Sequence, residues 1–187
     1  MRRSRVDREP AFRFEAEMVA PMRAHLEREH YRVYVNPDGR DYFDMIARRG
    51  SELGLVELKR TLGAKVFGQA LRRRAWGDWV AVALGSEMAA RRLVAERTGR
   101  LSAAVGVYWV HGSTVDCLRP SRAVPAMAAV DGRPSARTEL AGWLDAVDRG
   151  ELPREVHWDG LFHDLRRLSG GRRYREWTLE EAGDGRT

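Results

Sequence analysis

Asp44, Glu57 and Lys59 are the residues whose types and spacing best suit chemistry. Glu57 and Lys59 stand two apart in the run LVELK, a spacing that points both side chains to one face of a strand. Asp44 sits among apolar neighbours in YFDMIA, read as mid-strand in the preceding strand. An acid in an apolar strand carries a desolvation cost unless something compensates it, and a bound cation is one compensator. Two carboxylates on adjacent strands repel unless a cation lies between them. Hard oxygen ligands of this kind suit Mg2+ or Mn2+. Lys59, on the same face, can orient or activate a water and neutralise charge that develops on a phosphate. The plainer alternative is a solvent-facing hairpin pair with Lys59 salt-bridged to one of the acids.

Lysine is rare in this chain. Of 33 basic side chains only Lys59 and Lys65 are lysine, and the rest are arginine. Lysine is a compact charge whose pKa can be tuned, whereas arginine is a planar, permanently charged fork. A sequence that uses arginine almost everywhere keeps lysine where arginine does not serve.

The elements that must position these groups follow from periodicity. Phe14, Met18, Val19, Met22 and Leu26 recur at helical spacing within 12–30, and Pro21 either kinks that helix or marks a restart. Glu15 falls at the border of its buried face, while Glu17, about 200° further round, faces solvent more. Strands are expected over 31–35, 42–47 and 53–58, separated by turns at 36–39 and 48–52. A helix over 64–76 brings Gln69, and Lys65, Gln69, Arg73 and Trp76 share one stripe suited to a phosphate backbone. Arg72, Arg73 and Arg74 face nucleic acid or simply form a solvated face. Then come a buried strand over 78–84, a Ser86-capped helix to 97, and a hairpin over 104–118 around His111-Gly112-Ser113. Residues 120–134 read as a connector and 135–147 as an amphipathic helix. A second helix is expected at 158–168, a short strand at 174–179, and disorder in the GDGRT tail. These C-terminal helices are expected to pack on the α/β core or to make a dimer contact. A helix-turn-helix-like appendage is the alternative.

Composition narrows the classes. With 187 residues, 43% hydrophobic and 32% charged, the chain is globular and long enough to bury roughly 70% of its unfolded surface. The single cysteine, Cys117, excludes a disulfide framework and cysteine-rich zinc sites, and is expected to be a buried small residue. The five histidines show no metal-ligand spacing. No run of 18 apolar residues suggests a membrane span, and the basic N-terminus lacks the apolar stretch of a signal peptide. A soluble, cytoplasmic protein is expected. The net charge is +6, carried as +7 in residues 1–100 and −1 in 101–187, which fits a polyanionic partner such as DNA.

Taken in order, an acid-bearing helix, a strand, an Asp strand, a Glu-x-Lys strand and a Gln helix resemble the PD-(D/E)XK nuclease superfamily. The layout is most similar to its Holliday junction resolvase and RecB-nuclease-like branches. The resemblance covers roughly residues 11–118 and is carried by Glu15 in FEAEMV, Asp44 in FDMIA, Glu57 and Lys59 in VELK, and Gln69 in GQALRRRAW. The literal Pro37-Asp38 lies in a turn, so Asp44, 13 residues before Glu57, is preferred as the motif's aspartate. The resemblance implies a restriction-endonuclease-like αβββαβ core over 11–119, with a mixed central sheet flanked by helices. A basic arm over 1–10 would precede it, and a small, mainly helical appendage over 135–187 would follow. It also implies a Mg2+- or Mn2+-dependent deoxyribonuclease. Asp44 and Glu57 would ligate the metal with help from Glu15, Lys59 would position the nucleophilic water, and Gln69 would steady the site. DNA is the implied partner, and a homodimer suits the cutting of two strands. A non-catalytic nucleic-acid-binding module on the same fold, or an interaction scaffold, remains the alternative.

Overall fold

In LGLVEL, alternation puts Leu53 and Leu55 on one face of a strand and Val56 and Leu58 on the other, and all four are buried. The computed structural model, which describes residues 12–35, 43–63, 66, 70, 73–95, 105–122 and 135–151, makes this segment the strand β3 (Glu52–Lys59). It follows β1 (Arg32–Val35) and β2 (Met45–Arg49) and precedes β4 (Trp79–Leu84), β5 (Gly106–His111) and β6 (Thr114–Arg119). The six strands form one mixed sheet in sequence order. β1, β2 and β3 pair antiparallel, β3, β4 and β5 pair parallel, and β6 returns antiparallel to β5. The tight turn between β2 and β3 uses Gly50 at φ 61, and the one between β5 and β6 uses Gly112 at φ 54, a region that glycine enters without steric cost.

Helices cover both faces. A 3-10 turn (Glu15–Met18) leads into α1 (Val19–Arg28), whose Met22 and Leu26 join Met18 against Met45, Ala47, Val56, Leu58, Ala81 and Ala83. The alanines on the sheet make room for the methionines on the helix. Pro21 is the third residue of α1, in the first turn, where a missing N–H breaks no helical bond. The restart at Pro21 is therefore the one observed. On the opposite face, α2 (Glu87–Ala95) and α3 (Ala136–Asp148) contribute Leu93, Leu140 and Leu144 to a core with Ile46, Leu55, Val80, Val82 and Val107. Val66 and Ala70, described residues of the expected 64–76 helix, are helical and buried in the same core. Ser86 Oγ accepts from the Ala89 N–H at 3.3 Å, the expected cap, and Ser135 Oγ caps α3 in the same way by accepting from the Thr138 N–H at 3.2 Å.

Charged clamps fix α3 to the sheet. Arg137 grips Asp78 with two bonds of 2.6 and 2.7 Å and donates to the Ser51 carbonyl at 2.5 Å. Asp78 in turn accepts from the Leu53 N–H at 2.8 Å. At the other end Arg48 pairs with Asp145 at 2.5 Å, and Tyr34 Oη donates to Asp148 at 2.8 Å. The helix thus shares one core with the sheet.

Two expectations change. β2 begins at Met45 rather than at 42: Phe43 turns into the core beside Trp76, and Asp44 meets β3 through both its N–H, on the Val56 carbonyl, and its side chain, on the Leu58 N–H. Cys117 is exposed, on the edge strand β6, rather than buried. The 1–10 arm, most of the connector, the 158–168 helix and the 174–179 strand lie outside the described residues. No helix among the described residues is long and apolar enough to cross a membrane.

Gly54 sets the spacing between β3 and the Trp79 ring. A Cβ at Gly54 would stand 1.9 Å from Trp79 Cζ2. Gly54→Ala is expected to lower stability by about 1–3 kcal/mol through overpacking, read from urea denaturation midpoints at unchanged m-value.

Candidate active site

The site forms where β3 ends. Glu57 is only 4% exposed, in a strand otherwise apolar up to Leu58. A carboxylate buried this deeply needs counter-charge. It has two. Glu57 Oε1 lies 3.2 Å from Lys59 Nζ, two residues along the same strand face, and Oε2 pairs with Arg73 Nη1. Lys59 Nζ reaches a second acid, Glu15 Oε2, at 3.0 Å. Lys59 therefore sits between two carboxylates, a geometry that a compact ammonium with three donors satisfies more readily than a planar guanidinium.

Glu15 arrives from the opposite side of the sheet. Its 3-10 turn lies over the end of β3 because Gly85, just after β4, leaves room there. A Cβ at Gly85 would come within 3.2 Å of Phe12 Cδ2 and 3.3 Å of Met18 Sδ. The Gly85 N–H donates to the Lys59 carbonyl at 3.0 Å, which ties the ends of β3 and β4 together. The Arg60 N–H donates to Glu15 Oε1 at 3.4 Å. Glu17, the other candidate on this turn, bends back to accept from the Arg13 and Phe14 N–H groups at 2.6 and 3.3 Å. Of the two acids, the fold brings Glu15 to Lys59 and spends Glu17 on its own backbone.

Asp44 stands one residue before β2, not mid-strand. Its N–H donates to the Val56 carbonyl at 3.2 Å, and its Oδ2 accepts from the Leu58 N–H at 2.6 Å. The β2–β3 register pairs Met45 with Val56, so Asp44 comes next to Glu57 along the ladder. Burial pushes the Asp44 carboxyl above its usual range, and Glu15 adds to that push. The Leu58 N–H, Lys59 and Arg73 oppose it without cancelling it. The pair does not face solvent.

Other expected site residues are placed differently. Arg73 and Trp76 do not form a phosphate-facing stripe. Residues Arg73–Trp76 are a 3-10 turn, which advances about 120° per residue rather than 100°, so stripe arithmetic for a continuous α-helix fails there. Arg73 is buried against the Phe43 ring at 5.3 Å with its charge on Glu57, and Trp76 is buried edge-to-face on Phe43. Arg74 is half-buried. Lys65, Gln69 and Arg72 lie outside the described residues. The sequence reading missed Arg73 as a member of the acidic cluster. Phe43, next to Asp44 and able to cover a buried cation, was the available signal.

The cluster thus gathers Glu15, Asp44 and Glu57 around Lys59 and Arg73. It can hold a positively charged group at Asp44 and Glu57 and can present an ammonium to an incoming anion. No three acidic, histidine or cysteine side chains among the described residues close into a ready-made metal cage.

No protein-family model matches the chain, and no curated protein matches it. Among solved structures, it is similar to a protein of unknown function from Silicibacter pomeroyi, at 13% identity and a TM-score of 0.48, over 76% of this chain and 96% of that one.

Two outcomes follow from the cluster. Arg73→Met leaves Glu57 buried with Lys59 alone and is expected to cost roughly 3 kcal/mol in denaturant unfolding. Much of that loss should return in the Arg73→Met/Glu57→Gln double variant, where no buried charge is left unpaired. Because the folded-state pKa of Asp44 is raised, the native state holds its proton more tightly than the unfolded chain. Stability from this group therefore falls as pH rises from its usual value of 3.8 toward its raised one. Asp44→Asn keeps an acceptor for the Leu58 N–H and lacks that fall. Its stability relative to wild type should rise as pH climbs above 3.8, and a difference that stays constant with pH would refute the assignment.

Proposed function

We propose that this protein is a metal-dependent nuclease that hydrolyses DNA phosphodiester bonds, on a restriction-endonuclease-like core of the PD-(D/E)XK superfamily. The observation that carries the reading is Lys59 held between Glu57 and Glu15, with Asp44 beside Glu57 on the neighbouring strand, at the end of one central strand. The order of α1, three antiparallel strands and a parallel crossover from β3 to β4 supports the finer fold assignment.

The donor set fits Mg2+ or Mn2+. Mg2+ keeps several waters and takes only one or two carboxylates together with substrate phosphate oxygens, so a closed cage is not required. Asp44 and Glu57 are the residues that would hold it, and Asp44 is an acid whose ionisation burial disfavours, the condition a cation relieves. When bound, such an ion supplies a lowered water pKa and charge neutralisation at the scissile phosphate. Lys59 donates hydrogen bonds to the attacking water or to a non-bridging phosphate oxygen, with Glu15 holding its ammonium in place. The water oxygen forms a bond to phosphorus as the bond to the 3′-oxygen breaks, which leaves a 5′-phosphate and a 3′-hydroxyl.

One observation favours a second reading. Arg73 already neutralises Glu57, as a binding module with no metal would need. Cleavage of labelled linear duplex, single-stranded and four-way-junction DNA with Mg2+ or Mn2+ separates the two. The nuclease reading predicts cutting that EDTA abolishes and that Lys59→Ala and Asp44→Ala each reduce at least about a hundredfold. Salt-sensitive binding with no cutting of any substrate would establish the binding module.

A further inference from the structure

The strip that carried the expected nucleic-acid contacts is partly buried, which leaves open where DNA meets the protein beside Lys59. One corner answers. Arg13 and Phe14 immediately precede Glu15, and Arg60 immediately follows Lys59. All three are exposed, and Phe14, at 67%, is one of two large apolar side chains exposed among the described residues. The corner is built rather than loose. Phe14 has extended backbone and caps the 3-10 turn, with its N–H and that of Arg13 both held by the Glu17 carboxylate. Arg60 Nη1 donates to the Arg13 carbonyl at 2.9 Å, which ties the end of β3 to the residue before Phe14.

Neither arginine is closed by an ion pair among the described residues. Elsewhere Arg23, Arg49, Arg91 and Arg149 are each closed by a neighbouring carboxylate. No carboxylate among the described residues forms an ion pair with Arg13 or Arg60. Glu15 is taken by Lys59 and by the Arg60 N–H, and Glu17 by two backbone N–H groups. An exposed aromatic side chain with two exposed arginines near it in the fold is a combination that binds a nucleotide without its partner strand. The ring stacks on a base, and the arginines take the flanking phosphates. A paired base inside a duplex offers no free face to such a ring.

We infer that Arg13, Phe14 and Arg60 form a platform for an unpaired nucleotide of DNA, next to Lys59. The protein would therefore engage single-stranded segments, as at junctions, flaps or frayed ends. This rests on the nuclease reading for its substrate, but its test does not.

Binding is measured by fluorescence anisotropy in EDTA, with a labelled single-stranded DNA oligonucleotide and with the same sequence as blunt duplex. Wild type is expected to prefer the single strand. Phe14→Ala should weaken single-strand binding roughly tenfold and leave duplex binding unchanged, and Phe14→Trp should restore it. The double variant Arg13→Gln/Arg60→Gln should lower the slope of log K against log salt by about 1.4, the share of two phosphate contacts. Equal loss on both DNAs, no effect of Phe14→Ala, or no single-strand binding at low salt would each overturn the platform. Cleavage is scored separately with Mg2+. Cutting that persists with no Phe14 effect on binding sinks the platform alone, and a stacking preference without cutting sinks the nuclease reading alone. Phe14 is exposed, so an unchanged thermal midpoint should confirm that the variants fold.

Discussion

Burying the Glu57 carboxylate in an apolar central strand is the constraint around which this end of the molecule is arranged. β3 needs apolar side chains on both faces because helices cover both. An acid at its penultimate inward position is stable only if cations reach it without water. Lys59 reaches it along the strand, and Arg73 from the segment packed on the same face. Each cation brings a further requirement. Lys59 takes Glu15 as a second partner, and Arg73 buries its stem against Phe43, the residue that precedes Asp44. Four separate stretches of chain are thereby fixed relative to one another by one desolvated charge.

The fold supplies the precision this needs. Glu15 and Lys59 are 44 residues apart and approach from opposite sides of the sheet. Their meeting depends on the close approach over Gly85 and on α1 lying flat against a sheet surface of alanines. Far from the site, the Arg137–Asp78 clamp anchors the start of β3 through the Leu53 N–H. The register of β3 against β2 places Asp44 next to Glu57, so an anchor at one end of the strand bears on the geometry at the other.

Much of this was legible in the sequence, for reasons that differ by residue. The strand periodicity of two is short-range, so the common face of Glu57 and Lys59 could be read from LVELK alone. The two hairpins, turning at 48–52 and around His111-Gly112-Ser113, were likewise legible from local turn residues. Asp44 was singled out, but not its position at the margin of β2, because a side chain that accepts a ladder N–H beside its own backbone bond leaves no periodic trace. Helical angle favoured Glu15 over Glu17 and the fold brings Glu15 to Lys59, but the capping role of Glu17 was not legible, since the turn they share is 3-10. Arg73 was assigned to the wrong surface for the same reason: its direction depends on where an α-helix tightens, which is set by tertiary packing. Long-range charge partners such as Arg137 and Asp78 lie 59 residues apart and carry no sequence signal at all.

The charge balance of the cluster explains why Asp44 is its sensitive member. Glu15 and Glu57 are matched by Lys59 and Arg73, so ionising Asp44 leaves the group with one uncompensated negative charge in a poorly solvated place. Burial, with a smaller push from Glu15, holds its carboxyl above the usual range despite the Leu58 N–H, Lys59 and Arg73. A site of this kind is poised: a proton or an arriving cation completes it, and an arriving phosphate alone does not. Arg73 bears on the same balance from the other side. While it holds Glu57 the cluster is nearly neutral, and any cation that shares Glu57 must also displace or rearrange that guanidinium. On the proposed metal-dependent reading, the affinity of the site for a cation would be set by the competition between a fixed internal positive charge and a mobile one for the same buried carboxylate.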